Sequence, residues 1–152
     1  MIRPIKVGHL VLKVPNLEHA EKFYTQILGF EIVNRLDQPP AVFLTLGAQH
    51  HDLALFQVAG ESGGSPEGRP GMHHFALQLE DDAAIRSAHA FLKQMGVAIL
   101  RAVDHGTTHS IYFHDPAGNR VELYCDIGAN GLERALQRTT RDVEDFPRLD
   151  LE

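Results

Sequence analysis

The stretch HHFALQLEDDAAIRSAHAFLKQMGVAIL, residues 73–100, opens on a histidine pair and alternates through Phe75, Leu77 and Leu79 before turning at an acidic cluster. There the period changes from two to 3.6: Ile85, Ala88, Leu92 and Met95 recur at helical spacing behind Asp81 or Asp82 as cap, and Gly96 stands where a helix ends. The same order of features stands earlier, in GHLVLKVPNLEHAEKFYTQILGFEIV, residues 8–33. Here Leu10 and Leu12 alternate with Val7, His9 and Val11, Asn16 is the cap, Ala20, Phe23, Tyr24, Ile27 and Leu28 carry the helical period, and Gly29 ends it. The offsets agree: 74 − 9 = 65 and 96 − 29 = 67.

Three strand-like runs follow each glycine, at 30–36, 41–47 and 51–58 in the first copy and at 97–103, 110–115 and 120–125 in the second. The unit is therefore βαβββ, used twice. One such unit cannot cover both faces of its sheet. The expected fold is α+β, with two paired modules, helices outside and the remaining faces of a mixed sheet forming a cup. Module one is expected at 5–58 and module two at 71–126, together one domain over 1–126. Residues 59–70, opening AGESGGSPEGR, read as a flexible surface linker, and 127–152 as a C-terminal extension.

At 152 residues and 43% hydrophobic the chain can bury a sizeable core. A net charge of -6, without clustered Lys and Arg, argues against nucleic acid and anionic membrane surfaces and leaves small molecules as partners. No apolar run reaches the ~18 residues of a membrane span. One cysteine, Cys125, excludes an internal disulfide, and the N-terminal residues lack the apolar core of a signal peptide, so a cytoplasmic location is expected. Ten histidines, six of them in the clusters His50-His51, His73-His74 and His105 with His109, direct attention to metal or proton chemistry.

The stretch THSIYFHDPAGNRVELYCD, residues 108–126, raises the chemical question. Its two runs each carry an apolar set, Ile111 with Phe113 and Val121 with Leu123, opposite Ser110, Tyr112, His114, Arg120, Glu122 and Tyr124. A carboxylate in mid-strand is costly unless it is paired, solvated or bound to a metal. The same parity sends His9 and His74 to the face of Glu122 if the wholly apolar faces cover the helices. A lone strand histidine is more often an ordinary hydrogen-bonded side chain than a ligand, and a lone glutamate is usually solvated; the coincidence of three is the stronger signal. The repeat aligns Glu122 with Ala54 in DLALF, and alanine cannot ligate. Three protein ligands with open positions is the two-His-one-carboxylate arrangement typical of non-haem Fe(II) sites.

The stretches GHLVLKVPNLEHAEKFYTQILGF, HHDLALF, GMHHFALQL and HGTTHSIYFHDPAGNRVELY resemble the vicinal oxygen chelate (glyoxalase/bleomycin resistance/dioxygenase) superfamily and, within it, the type I extradiol dioxygenases, over residues 5–126. The resemblance implies Fe(II), less often Mn(II), on His9, His74 and Glu122. It also implies an acid-base histidine at His51, a further active-site histidine at His105 and an active-site tyrosine at Tyr112. Strict alternation back from Ala54 would instead place His50 on the site face, a conflict that a bulge at the strand end would resolve. His109, on the parity of Ile111, and His114 and Asp115 at the turn read as structural.

The activity so implied is cleavage of a catechol-type aromatic diol by O2, with a homodimer or higher homo-oligomer expected. The better-known enzymes of this kind carry four βαβββ units, and this chain carries two. Glyoxalase I and methylmalonyl-CoA epimerase resemble four-ligand sites, which Ala54 opposes. A fosfomycin-type thiol transferase shares the His-His-Glu set but needs several cations in its pocket, of which Arg120 alone is placed inward. A binding protein of the bleomycin-resistance kind would need no metal.

Overall fold

The computed structural model describes residues 1–61, 70–128 and 147–151. Strand β1 (Leu10–Val14) leads into helix α1 (Leu17–Lys22), which a π-helical turn (Phe23–Ile27) extends; β2 (Glu31–Asp37), β3 (Pro40–Thr45) and β4 (Leu53–Gln57) complete the first copy. The second copy is β5 (Phe75–Gln78), α2 (Asp82–Gln94), β6 (Ile99–Asp104), β7 (Thr108–His114) and β8 (Arg120–Asp126). Two four-stranded sheets result, ordered β1-β4-β3-β2 and β5-β8-β7-β6. In each, the first strand runs parallel to the last and the remaining pairs are antiparallel. The fold is α+β, and the two copies share one topology. They fall into two compact units, Met1–Gly64 with Pro116–Gly118 and Ser65–Asp115 with Asn119–Glu152.

Local chemistry explains why these elements form where they do. Asn16 caps α1, its side chain accepting from the His19 N–H at 2.9 Å, and Asp81 caps α2 by accepting from the Ala84 N–H at 2.8 Å. Gly29 and Gly96 take φ of 73° and 74°, the left-handed conformation that closes a helix without a Cβ clash. In the first unit α1 packs on β3 and β4, burying Leu12, Val14, Ala20, Tyr24, Val42, Leu44, Leu53 and Leu55. In the second, α2 packs on β6, β7 and β8 over Ile85, Leu92, Ile111, Phe113, Val121 and Cys125. Each such aliphatic or aromatic side chain contributes about 1.5–3 kcal/mol when fully buried.

Three expectations need correction. The first helix does not hold the 3.6 period throughout: its second half widens into the π-turn, which leaves Tyr24 fully buried and edge-on to Phe23 and Phe30. Neither histidine lies in a strand. His9 and His74 each stand one residue before it, because the parallel ladders start at Leu10↔Leu53 and Phe75↔Val121, where the partner strands emerge from their turns. The second-copy strand runs over Ile99–Asp104 rather than from residue 97, with a register shift between Ile99 and Arg101. Of the expected linker and tail, residues 62–69, 129–146 and 152 lie outside the described residues. Residues 147–151 are extended along the outer edge of β6, with the Leu149 N–H donating to Ala102, the Asp104 N–H to Pro147, and the Arg86 guanidinium to the Asp150 carbonyl. Among the described residues no helix is long and apolar enough to cross a membrane.

His109 does face α2. Its Nδ1 meets Asp82 in the first helical turn, Arg86 Nε meets the other Asp82 oxygen at 2.9 Å, and together these partners hold the Asp82 carboxyl below its ordinary range. A lowered carboxylate stabilises the fold above its unfolded-state pKa, and that contribution is lost as pH falls through the lowered value. Asp82→Ala is therefore expected to cost about 1 kcal/mol or less at pH 7. Urea melts at a series of pH values should show wild type and variant converging at the acid end; a constant gap would contradict this assignment.

Candidate metal and substrate site

Glu122 sits in the middle of β8, with Ala76 of β5 in register on one side and Tyr112 of β7 on the other. Only 8% of it is exposed, and both carboxylate oxygens are engaged. The Tyr112 hydroxyl donates to Oε1 at 2.8 Å, and His74 Nε2 lies 2.8 Å from Oε2. The mid-strand carboxylate thus has its partners within its own unit.

The proton inventory orients the rest of the network. Tyr112 has one hydroxyl proton and gives it to Glu122, so His105 Nε2, 2.9 Å from the phenol oxygen, is the donor in that contact. His74 donates from Nε2, which leaves its Nδ1 to accept from His73 Nδ1–H at 2.7 Å; His73 Nε2 then accepts from Arg120 at 2.9 Å. A continuous chain runs His105, Tyr112, Glu122, His74, His73, Arg120. Burial first, then the hydrogen bond and charge of Glu122, push the Tyr112 hydroxyl up to about 12, so it stays protonated at neutral pH. The Arg101 guanidinium stands over the Tyr112 ring, 5.4 Å from its centre. Arg101 and His73 carried no role in the sequence reading. The signal for Arg101 is its register opposite Tyr112, which the shift after Ile99 conceals from simple alternation.

The other unit holds His9, His50 and His51 together. The His51 ring lies 4.3 Å from that of His9 and edge-on to Phe43 at 5.3 Å, while His50 is exposed. The connection before β4 is built by Asp52, which accepts from the Leu46 N–H at 2.7 Å and from the Gln49 amide at 2.7 Å. Gln49 also donates to the Gly8 carbonyl, tying the residue before His9 to the same turn. Burial, then the His50 and His9 imidazoles, hold the His51 pKa below the ordinary histidine value, against a smaller opposing pull from Asp52. His51 is thus kept neutral and able to accept a proton.

The structure brings His74, Glu122, Tyr112 and His105 together in one unit and His9 with His51 in the other. Among the described residues no group of three or more His, Cys, Asp or Glu forms a ready cluster for an ion. The His74–Glu122 pair nevertheless suits a divalent cation. Imidazole nitrogen and carboxylate oxygen are common donors to such ions, and His74 Nε2 and Glu122 Oε2, 2.8 Å apart, would be the two that hold one. The repeat supplies an internal comparison: Val11↔Ala54 and Phe43↔Ala54 in the first sheet match Ala76↔Glu122 and Tyr112↔Glu122 in the second. Ala54 and Phe43 stand where the second copy has its carboxylate and phenol.

Residues 6–123 match the model of the Glyoxalase/Bleomycin resistance protein/Dioxygenase superfamily. The chain is 34% identical over 124 residues to biphenyl-2,3-diol 1,2-dioxygenase 3 of Rhodococcus globerulus, covering 80% of this chain and 63% of that protein. It is 29% identical over 120 residues to catechol-2,3-dioxygenase of Bacillus subtilis, covering 79% of this chain and 41% of that protein. The chain thus spans less than two thirds of the length of the curated relatives it matches. Among solved structures, the fosfomycin resistance protein FosX of Listeria monocytogenes superposes with a TM-score of 0.70 at 19% identity, over 90% of this chain and all of that one, a likeness of fold. Sequence and fold agree: the chain belongs to the Glyoxalase/Bleomycin resistance protein/Dioxygenase superfamily.

Proposed function

We propose that this protein is an Fe(II)-dependent extradiol dioxygenase acting on a catechol-type diol, with Mn(II) as the other candidate metal. The observation that carries the reading is the buried Glu122, held between a tyrosine hydroxyl and an imidazole in a sheet whose sister copy has alanine at that place. The relatives named as dioxygenases of biphenyl-2,3-diol and catechol support it. In this reading His74 and Glu122 hold the metal, and His9 is the third ligand on the strength of its resemblance and its repeat correspondence with His74.

The chemistry that bound Fe(II) supplies is electron transfer between diol and O2, which redox-inert Zn(II) cannot provide. The protein's own groups have separable tasks. Neutral His51 takes a proton from a diol hydroxyl and returns it later. Tyr112, kept protonated, donates a hydrogen bond to a substrate oxygen, and His105 donates to the Tyr112 oxygen and strengthens that donor. The reaction balances without an external reductant. The ring carbon–carbon bond beside the hydroxylated carbons breaks, and both atoms of O2 enter the product, a muconic semialdehyde. Buried Cys125 fits a reducing cytoplasm, and homo-oligomerisation belongs to the same proposal.

Anaerobic loading with Fe(II), followed by catechol and biphenyl-2,3-diol in aerated buffer, is expected to give a yellow product with one O2 consumed per diol. Iron-loaded protein that consumes neither diol would overturn the reading. Arg101 and Arg120 are two cations beside the Tyr112 network, which favours a second reading, transfer to an anionic substrate as a fosfomycin-type enzyme performs. Thiol-dependent loss of fosfomycin by metal-loaded protein, without diol cleavage, would select it.

A further inference from the structure

Ser110 lies in β7, in register with Val103 and Tyr124 and two residues before Tyr112, so its side chain shares the Tyr112 face. It is wholly inaccessible, and among the described residues its Oγ makes no hydrogen bond of ordinary geometry. Such a group is destabilising, and buried hydroxyls are nearly always paired. Two residues apart on one face of β7, the Ser110 hydroxyl and the Tyr112 side chain are neighbours. The repeat again provides the comparison: Ala41↔Phe56 matches Ser110↔Tyr124, so the first copy carries Ala41, Phe43 and Ala54 where the second carries Ser110, Tyr112 and Glu122. All three polar groups are present in one copy and absent from the other. A serine that served only packing would have no reason to follow the carboxylate and the phenol.

We propose that Ser110 is a positioning residue for Tyr112, a reserve hydrogen-bond partner for its phenol oxygen. When the Glu122 carboxylate is taken up by a metal, the Tyr112 O–H is released toward a substrate oxygen. The phenol oxygen can then accept from His105 Nε2–H and from Ser110 Oγ–H together, using both lone pairs. Two accepted bonds fix the phenol and make its O–H a stronger donor. The unpaired hydroxyl of the free protein is the counterpart of this arrangement. The proposal rests on the reading of Tyr112 and Glu122 as site residues.

The first test needs neither metal nor substrate. In metal-free protein Ser110→Ala is expected to leave the chemical-denaturation midpoint unchanged or raised. In a Glu122→Ala background, where Tyr112 has lost its acceptor and turns to Ser110, the same change should lower the folding constant about five-fold. Glu122→Leu, which also removes the acceptor, provides a second background if Glu122→Ala does not fold. An equal effect of Ser110→Ala with and without these changes overturns the proposal. The second test is anaerobic catechol binding to Fe(II)-loaded protein. Ser110→Ala should weaken it about five-fold when Tyr112 is present and not at all in Tyr112→Phe; no loss, or the same loss in both, also overturns it. Wild-type protein that binds no catechol would remove the dioxygenase reading, while the denaturation series would still decide the role of Ser110.

Discussion

Glu122→Ala protein, loaded anaerobically with Fe(II) and desalted, is expected to emerge almost free of iron and inactive toward diols, with its far-UV circular dichroism unchanged. Glu122 is the one carboxylate of the proposed ligand set, it is only 8% exposed, and it would neutralise part of a bound ion's charge. Loss of a supporting residue around a ligand costs roughly 10- to 100-fold in metal affinity, and loss of the ligand itself should exceed that. His74→Ala should behave alike, because its Nε2 is the donor nearest Glu122. His9→Ala tests the ligand that resemblance supplies. The measurement is iron per protein by elemental analysis. Full occupancy in Glu122→Ala would sink the assignment, and full occupancy in His9→Ala alone would confine the site to the His74–Glu122 pair.

The second large effect is expected at His51, and it separates catalysis from metal binding. His51→Ala should retain its iron and bind catechol, yet turn over about 10²- to 10⁴-fold more slowly, the usual loss when a positioned proton-transfer group is removed. His50→Ala should be much milder, since His50 is exposed while the His51 ring rests against His9 and Phe43. Oxygen uptake on iron-quantified samples of both variants decides the matter. A large loss in His50→Ala with a small one in His51→Ala would reverse the assignment; small losses in both would transfer the proton role to His105 and Tyr112.

Much of the fold was legible before any coordinates because it depends on local rules that repeat. Period-two and period-3.6 patterns, the Asn16 and Asp81 caps, and glycines at 29 and 96 are short-range signals, and their recurrence at a nearly constant offset identified the βαβββ unit twice. Aligning the copies also gave Ala54 the position in its sheet that Glu122 holds in the other, as the strand pairings show. The π-turn at 23–27, the start of β1 after His9, and the register shift after Ile99 were not legible. Each depends on where a partner strand or a core side chain sits, and alternation within one segment carries no information about that.

The site divides along the same line. Amino-acid sequence by itself determined that a mid-strand carboxylate required a partner and that His9 and His74 shared its parity, while Tyr112, His51 and His105 came from the family resemblance. Only tertiary structure decided that Tyr112 and His74 engage the two Glu122 oxygens, that Arg101 stands over the Tyr112 ring, that the His51 ring lies nearer His9 than the His50 ring does and edge-on to Phe43, and that Ser110 is buried unpaired. The physical reason is range. Periodicity and capping act between residues a few positions apart, whereas a hydrogen bond between Tyr112 and Glu122 or a contact between His9 and His51 depends on sheet register and loop closure, which are set by the packing of segments distant in the chain.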